Sequence, residues 1–562
     1  MIVTDRKMMI NKSTLKYMLG ELPFTAEVYW QFRQGGRPLS KNFSMQRTRK
    51  QLPDWVSQAS RHLETIQPTN TRRVLLFTTL RYWIEHATLM GVTIAGMGHD
   101  VTLAFLPYAN WHSPVNRFDL RRHNAYIKHI LKGAEPLLKT VSLLDVKTSQ
   151  EKLPEPFSRA IDEISTRDVQ YTLQIEDIDK NSALYHLRLE RNREAARKAL
   201  VYLQENRPDI LITPNGSILE MGIIFQVARQ LEIPVVTYEF GEQRDRIWLA
   251  YNDEVMQQNT NEMWAARQDS VLSSTQQEQI QALFVSRKHA DLWENFSRRW
   301  QGLPSQGGEK VRQELNLDER PVVLLAANVI GDSLTLGRQI FTPSMTSWLK
   351  RTIMDFAQRS DVQLIIRIHP GERYTQGPSV ADIINQNLAE IPEHIHIIAA
   401  NDPVNTYDLI DIADLGLVYT TTVGLEMAMS GVPVIVIGQT HYRGKGFTLD
   451  PSSWDEYSKL IDQTLSGKGT HRLTQKEVEQ AWNYAYKFFF EYPSPFPWHL
   501  LHFWDELETW SVEKVLSTEG QALYENTFQH LLGKPRNWLK PIQGEMYSDT
   551  KRAGTNGMVK TK

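Results

Sequence analysis

Short apolar runs alternate with helix-length stretches along this chain, and the segment Leu415–Asp450 shows the unit most clearly. It reads LGLVYTTTVGLEMAMSGVPVIVIGQTHYRGKGFTLD. Leu415–Tyr419 has the continuous apolar pattern of a buried strand, Thr420–Thr422 is a polar turn, and Val423–Ser430 has helical spacing with Glu426 inside it. Gly431 stands where a left-handed helix C-cap belongs, Pro433 follows two residues later, and Val434–Ile437 is a second buried strand. Two buried strands joined by a helix form a right-handed βαβ unit, so the strands run parallel. Ligands of parallel sheets sit outside the carboxyl ends of the strands. Here that edge holds the threonine turn, the helix start and the loop after Gly438. Free N–H groups at a helix start, next to three hydroxyls, suit a phosphate or a sugar diol. The plain alternative is that Glu426 complements the helix dipole and the threonines cap the helix.

The same alternation recurs twice. In the first half Val74–Thr79 is a strand, Tyr82–Met97 a helix and Val101–Leu106 a strand. Ser182–Asn206, Ile210–Thr213, Ser217–Leu231 and Pro234–Tyr238 then read as helix, strand, helix and strand. In the second half Pro321–Ala327, Val362–Ile368 and His394–Ile398 are strands, with helices at Pro343–Arg359 and Val404–Ala413. At 562 residues the chain exceeds one hydrophobic core, so two domains are expected. The fold class predicted is α/β: two doubly wound Rossmann-like domains facing across a cleft, with extra C-terminal helices. The expected divisions are an N-terminal extension of uncertain structure (1–70), a first Rossmann-like domain (71–252) and a helical linker (253–316). A second Rossmann-like domain (317–470), C-terminal helices packing on the domains (471–543) and a disordered tail (544–562) follow. The aromatic run Phe496–Trp510 is read as helical.

Composition narrows the function classes. A net charge of −2 argues against a protein built to hold duplex DNA, so no nucleic-acid partner is expected. The absence of cysteine removes disulfides, thiolate catalysis and cysteine-based zinc sites, and fits a reducing compartment. No GxxxxGK[ST], GxGxxG after a strand, HExxH or carboxylate–histidine cluster occurs, so neither metal nor cofactor is expected. The first twenty residues mix charges with apolar residues, and no long uncharged apolar window occurs, so a cytoplasmic location is expected. Arg33, Arg37, Lys41, Arg47, Arg49 and Lys50 lie in a stretch without acids. Such a strip is either solvated surface or a contact for anionic lipid or a phosphorylated acceptor, which would set the protein at the inner face of a membrane.

An ordered set of residues resembles the capsule polysaccharide biosynthesis family. It comprises Asn328-Val329-x-x-Asp332, His369-Pro370, Thr421-Thr422-x-Gly424-x-Glu426 and Gly431-x-Pro433, then Tyr442 through Gly446-Phe447-Thr448. In the first half Arg81-Tyr82-Trp83, Gly98-His99-x-Val101 and Tyr238-Glu239-x-Gly241 fit the same pattern. The family is GT-B glycosyltransferase-like and includes the Kdo transferases of capsule assembly. The resemblance implies a nucleotide-sugar donor held by the second domain and a glycan or glycolipid acceptor held by the first. It implies that His369 contacts the donor phosphate and that Asn328, Asp332, Pro370, Thr421, Thr422, Gly424, Glu426, Tyr442 and Thr448 surround the donor. Arg81 and Asn215 fall on the acceptor side.

The reaction expected is metal-independent transfer of a glycosyl unit to a hydroxyl, with Glu239 as the catalytic base because it ends a first-half strand before Gly241. Glu85, His86 and Asp100 are further candidates for that role. Among the donor-side residues Arg367, which lies within its strand, ranks below Thr421, Thr422 and Glu426. The competing readings are a nucleotide-sugar epimerase or polyol-phosphate transferase on the same frame, and a non-catalytic glycan-binding scaffold.

Overall fold

The computed structural model describes residues 12–148, 153–293, 296, 301–375, 377–466 and 472–539. The tail expected at 544–562 lies outside the described residues. The first-half strands are β1 (Arg73–Thr79), β2 (Asp100–Leu106), β3 (Lys139–Ser142), β4 (Ile210–Pro214), β5 (Val235–Glu239) and β6 (Arg246–Tyr251). Those of the second half are β7 (Val322–Ala326), β8 (Gln363–Arg367), β9 (Ile395–Ile398), β10 (Leu415–Val418) and β11 (Val434–Val436). A last short strand, β12 (Ser494–Pro495), returns to the first sheet.

The first sheet has the order β12-β6-β5-β4-β1-β2-β3, with β1 to β5 parallel, β6 antiparallel to β5, and β12 antiparallel to β6. The second has the order β11-β10-β7-β8-β9 and is wholly parallel. Helices cover both faces, which is why β4, β7, β8 and β10 are buried at every residue and, apart from Thr213, Gln363 and Arg367, apolar. Strand order reverses between β4 and β1 in one sheet and between β10 and β7 in the other. Those two points open crevices at the carboxyl edges.

Residues 12–70 are part of the first half. Trp30, Phe43, Trp55 and Ala59 are buried in the same core as β1 and β2, and the helix Gln46–Thr65 lies against the helix Arg81–Gly96. Met45 N–H donates to Tyr126 Oη at 2.8 Å inside that core. Helix Arg117–Leu131, strand β3 and helix Glu155–Leu173 fill the stretch between β2 and β4 that the sequence reading passed over.

After the second sheet, the helix Gln475–Tyr486 and a π-turn at Lys487–Glu491 pack in the second core, and the chain then recrosses to the first. The run Phe496–Trp510 departs from its helical expectation, since only Phe503–Thr509 is helical. Pro493, Pro495 and Pro497 lack backbone donors and hold the approach extended. Pro495 sits on the edge strand β12, where no donor is needed. Phe496 and Trp498 are fully buried in the first core, and the Trp498 indole donates to Trp510 O at 2.8 Å.

Contacts among the described residues tie the halves together. Glu176, just past the helix Glu155–Leu173, accepts from Met345 N at 2.9 Å and Thr346 N at 2.7 Å, capping a second-half helix. Thr260 Oγ1 donates to His441 O at 2.8 Å. Gly331, at φ 70°, comes so close to Gln174 that a Cβ would meet its carbonyl carbon at 2.6 Å.

Candidate functional site

A cavity of 460 Å³ lies where the carboxyl edges of the two sheets face each other. From the second half it is bounded by the loop after β7 (Asn328, Asp332), the residue after β8 (His369), the turn after β10 (Thr420–Thr422) and the loop after β11 (Gln439–His441). From the first half come Tyr171, Gln174, Gly241, Glu242, Gln243, Arg246 and Trp248, with Phe488 and Phe489 closing the side.

Asn328 and Thr420 flank the reversal point of the second sheet. Asn328 Oδ1 accepts from Thr420 N at 3.1 Å, which fixes the threonine turn against the β7 loop. Thr421 Oγ1 accepts from Val423 N at 3.4 Å, and its carbonyl accepts from Tyr442 Oη at 2.6 Å. Thr422 is the N-cap residue of the helix Val423–Met429, whose start therefore points at the cavity. The His369 ring Nδ1 accepts from Gly371 N at 2.9 Å. A nitrogen that accepts a backbone N–H carries no proton of its own, so the ring proton sits on Nε2.

Several buried polar atoms around the cavity lack a hydrogen-bond partner among the described residues: Thr420 Oγ1, Arg246 Nη1, Arg338 Nε and His441 Nε2. Buried polar groups are normally satisfied, and the four residues that carry these exceptions all border this one hollow. Arg338 is otherwise anchored, donating to Met256 O and to Gln257. His441 is stacked face to face on Phe488 at 3.7 Å, and burial drops its pKa well below the usual value, so it is neutral there.

Glu239 ends β5 beside the cavity rather than in its lining. Its ladder partner Trp248 and its near neighbour Gly241 both line it. Tyr171, in the lining, has its phenol raised by burial and then by the charges of Asp332 and Glu239, which places both carboxylates within its electrostatic reach. The Glu239 carboxylate accepts from Asn215 Nδ2 at 3.1 Å and from Phe240 N at 3.0 Å, and burial pushes its pKa up. Asn215 is left-handed at φ 59°, and its Oδ1 accepts from Ser217 N at 3.0 Å. The Asn215 amide thus orients Glu239.

The expected site residues do not all converge. Asn328, Asp332, His369, Thr421 and Thr422 line the cavity, and Pro370 stands next to it as the start of the turn after His369. Glu426 instead faces away: buried, it accepts from Arg287 Nη1 at 2.9 Å. Gly424 is a packing glycine, since a Cβ would meet Tyr442 Oη at 2.4 Å and Val418 Cγ2 at 2.9 Å. Tyr442 is wholly buried and supports the Thr421 carbonyl from behind. Thr448 Oγ1 donates to Asp450 at 2.9 Å and braces its own loop. Arg81 pairs with buried Glu85, which also accepts from Thr48 at 2.7 Å. His86 is buried against Trp498 O at 3.0 Å. Asp100 opens β2, so it lies at the amino edge, paired with Lys139 at 2.8 Å. Arg367 donates to Ala399 O at 2.8 Å inside the second half.

The sequence reading missed Arg246. Because β6 runs antiparallel to β5, its first residue lies at the edge where the parallel strands end. The alternating burial of β6 is the signal that identifies such a strand.

Glu372, three residues past His369, gives a pH-dependent expectation. It is buried and accepts from Val380 N at 3.1 Å, and burial raises its pKa from 4.5 to about 7. Between those values the folded chain holds a proton that the unfolded chain releases. Stability from this group is therefore lost as pH rises through the window. Glu372→Gln is expected to raise Tm relative to the parent above neutrality, with the gap closing below the ordinary glutamate pKa. Melting curves across that range check it.

Residues 294–475, which carry the second sheet and its edge loops, match the family model for capsule polysaccharide biosynthesis proteins. No curated protein matches the chain in sequence. Among solved structures it is similar to KpsC of Thermosulfurimonas dismutans, a beta Kdo 2,4 transferase, at 15% identity over 51% of this chain and 82% of that one, with a TM-score of 0.33. A beta Kdo 2,7 transferase of the same name and organism gives 14% identity over 50% and 79%, with a TM-score of 0.29. The UDP-GlcNAc 2-epimerase of Neisseria meningitidis bound to UDP-GlcNAc gives 13% over 75% and 99%, with a TM-score of 0.22. Superpositions this loose carry no weight for activity.

Proposed function

We propose that this chain, whose residues 294–475 match the family model for capsule polysaccharide biosynthesis proteins, transfers a sugar from a nucleotide-activated donor to a hydroxyl of a glycan or glycolipid acceptor. The observation that carries the reading is the convergence of His369, the Thr420–Thr422 turn, Arg246 and Arg338 on one cavity between two carboxyl edges. The donor diphosphate lies against the second half, at the start of the helix Val423–Met429, and the acceptor enters from the first half. The acceptor oxygen attacks the anomeric carbon, and the bond from that carbon to the donor phosphate breaks with its electron pair on the phosphate oxygen. The acceptor proton passes to Glu239. His369 Nε2–H and the arginines meet the charge growing on the leaving phosphate, so no step is routed through a metal.

His369→Ala is expected to lower kcat by about 10²–10³-fold, the usual effect of losing one donor to a developing oxyanion, with little change in Tm. The measurement is release of free nucleotide with and without a glycan acceptor. Acceptor-dependent release supports transfer; rapid release or sugar isomerisation without an acceptor assigns the frame to an epimerase instead. Unchanged turnover in the alanine variant removes His369 from the reaction.

A further inference from the structure

We propose that residues 12–33, together with the basic strip that follows them, dock the protein on an anionic lipid surface, an inference independent of the reaction assigned above. Two short helices, Lys12–Glu21 and Thr25–Val28, the second continued by a π-turn at Tyr29–Arg33, lie against the helix Arg117–Leu131. Their inner face is anchored. A Cβ on Gly20 would sit 2.9 Å from Phe118 N, Ala26 and Trp30 are buried, and Lys16 pairs with Asp119 at 2.8 Å. Their outer face is apolar and open to solvent. Leu15, Met18 and Leu22 recur at helical spacing, as do Phe24, Val28 and Phe32, with Phe24 74% and Phe32 80% exposed. Folding gains nothing from displaying two phenyl rings on an anchored scaffold, and contiguous exposed apolar patches mark contact surfaces.

Charge selects the occupant. Arg33, Arg37, Lys41, Arg47, Arg49 and Lys50 are all exposed, and no acid occurs between Val28 and Pro53. The two acids within the helices are neutralised, Glu21 by Arg117 at 2.7 Å and Glu27 by Arg121 at 2.5 Å. Exposed apolar side chains followed directly in the chain by exposed basic ones are what the boundary between acyl chains and anionic headgroups accommodates. The mode is peripheral, since among the described residues no helix is long and apolar enough to cross a membrane.

The test sediments the full chain with vesicles of phosphatidylcholine alone and of phosphatidylcholine mixed equally with phosphatidylglycerol. Binding to the mixed vesicles at low salt, lost at high salt and absent with phosphatidylcholine alone, is the expected result. Phe24→Ser with Phe32→Ser should weaken binding by roughly tenfold or more. Arg33→Gln with Arg37→Gln and Lys41→Gln should weaken it by about fivefold per charge. Both variants should keep the parent Tm, because the altered side chains are exposed. No binding to the mixed vesicles, or equal binding by the phenylalanine variant, overturns the proposal. So does sedimentation-velocity evidence that Phe24 and Phe32 instead join two copies of this chain without lipid.

Discussion

Replacing Glu239 by glutamine is expected to lower transfer by about 10²–10⁴-fold while leaving the donor bound and the protein folded. Glutamine keeps the shape and can still accept from one of the two donors, Asn215 Nδ2 or Phe240 N, but it cannot take a proton. The argument rests on how the carboxylate is held. Asn215 Nδ2 and the Phe240 amide each bind one of its oxygens, at 3.1 and 3.0 Å, leaving lone pairs for an acceptor hydroxyl. Burial raises its pKa while those two donors pull it down, and burial dominates. A base must be ionised to act, so kcat/KM should rise with pH through an acid limb lying above the ordinary carboxylate range. Glutamine at position 239 should abolish that limb. Glu242, which lines the cavity three residues beyond the end of β5, is the control. If Glu242→Gln silences the enzyme and Glu239→Gln does not, the base role passes to Glu242.

The largest effect on stability is expected at Glu426. Glu426→Ala should cost about 3–5 kcal/mol, the range for breaking a buried ion pair from one side. Glu426 and Arg287 are both buried and 2.9 Å apart, and the guanidinium lies 4.5 Å from the Phe489 ring centroid and 5.0 Å from that of Phe284. Removing the carboxylate takes the Glu426 counter-charge away from a cation packed among aromatic rings. A double variant, Glu426→Leu with Arg287→Met, should recover most of the loss, because it removes both charges together. Chemical denaturation gives the stability, and the donor KM of the folded protein should stay near the parent value. A raised KM with unchanged stability would return Glu426 to the donor site.

Much of the frame was legible because parallel strands buried on both faces leave continuous apolar runs. Val322–Ala326, Leu415–Val418 and Val434–Val436 are such runs, and Gly431 at φ 79° caps the helix between the last two. The cavity positions of Asn328, His369 and Thr421 follow, since each comes two or three residues after the end of a buried parallel strand. Glu426 was misplaced for a geometric reason. It lies a turn into its helix, and the partner that claims it, Arg287, comes from a helix far earlier in the chain. No local spacing announces such a pair. Asp100 was taken as an edge candidate although it opens its strand, so it falls on the opposite rim. The first seventy residues were opaque because Trp30, Phe43 and Trp55 enter the core from separate short elements, which share no single hydrophobic period.

The central claim is that an activated sugar binds in the cavity between the two sheet edges, and thermal shift tests it most directly. CMP-, UDP-, GDP- and dTDP-sugars are offered to the parent chain and to Thr422→Trp, which puts an indole into that cavity. At a hundred times its Kd the right donor should stabilise the parent by about 2.7 kcal/mol, and the tryptophan variant should show almost no shift. No shift with any donor, or an equal shift in both proteins, would contradict the account.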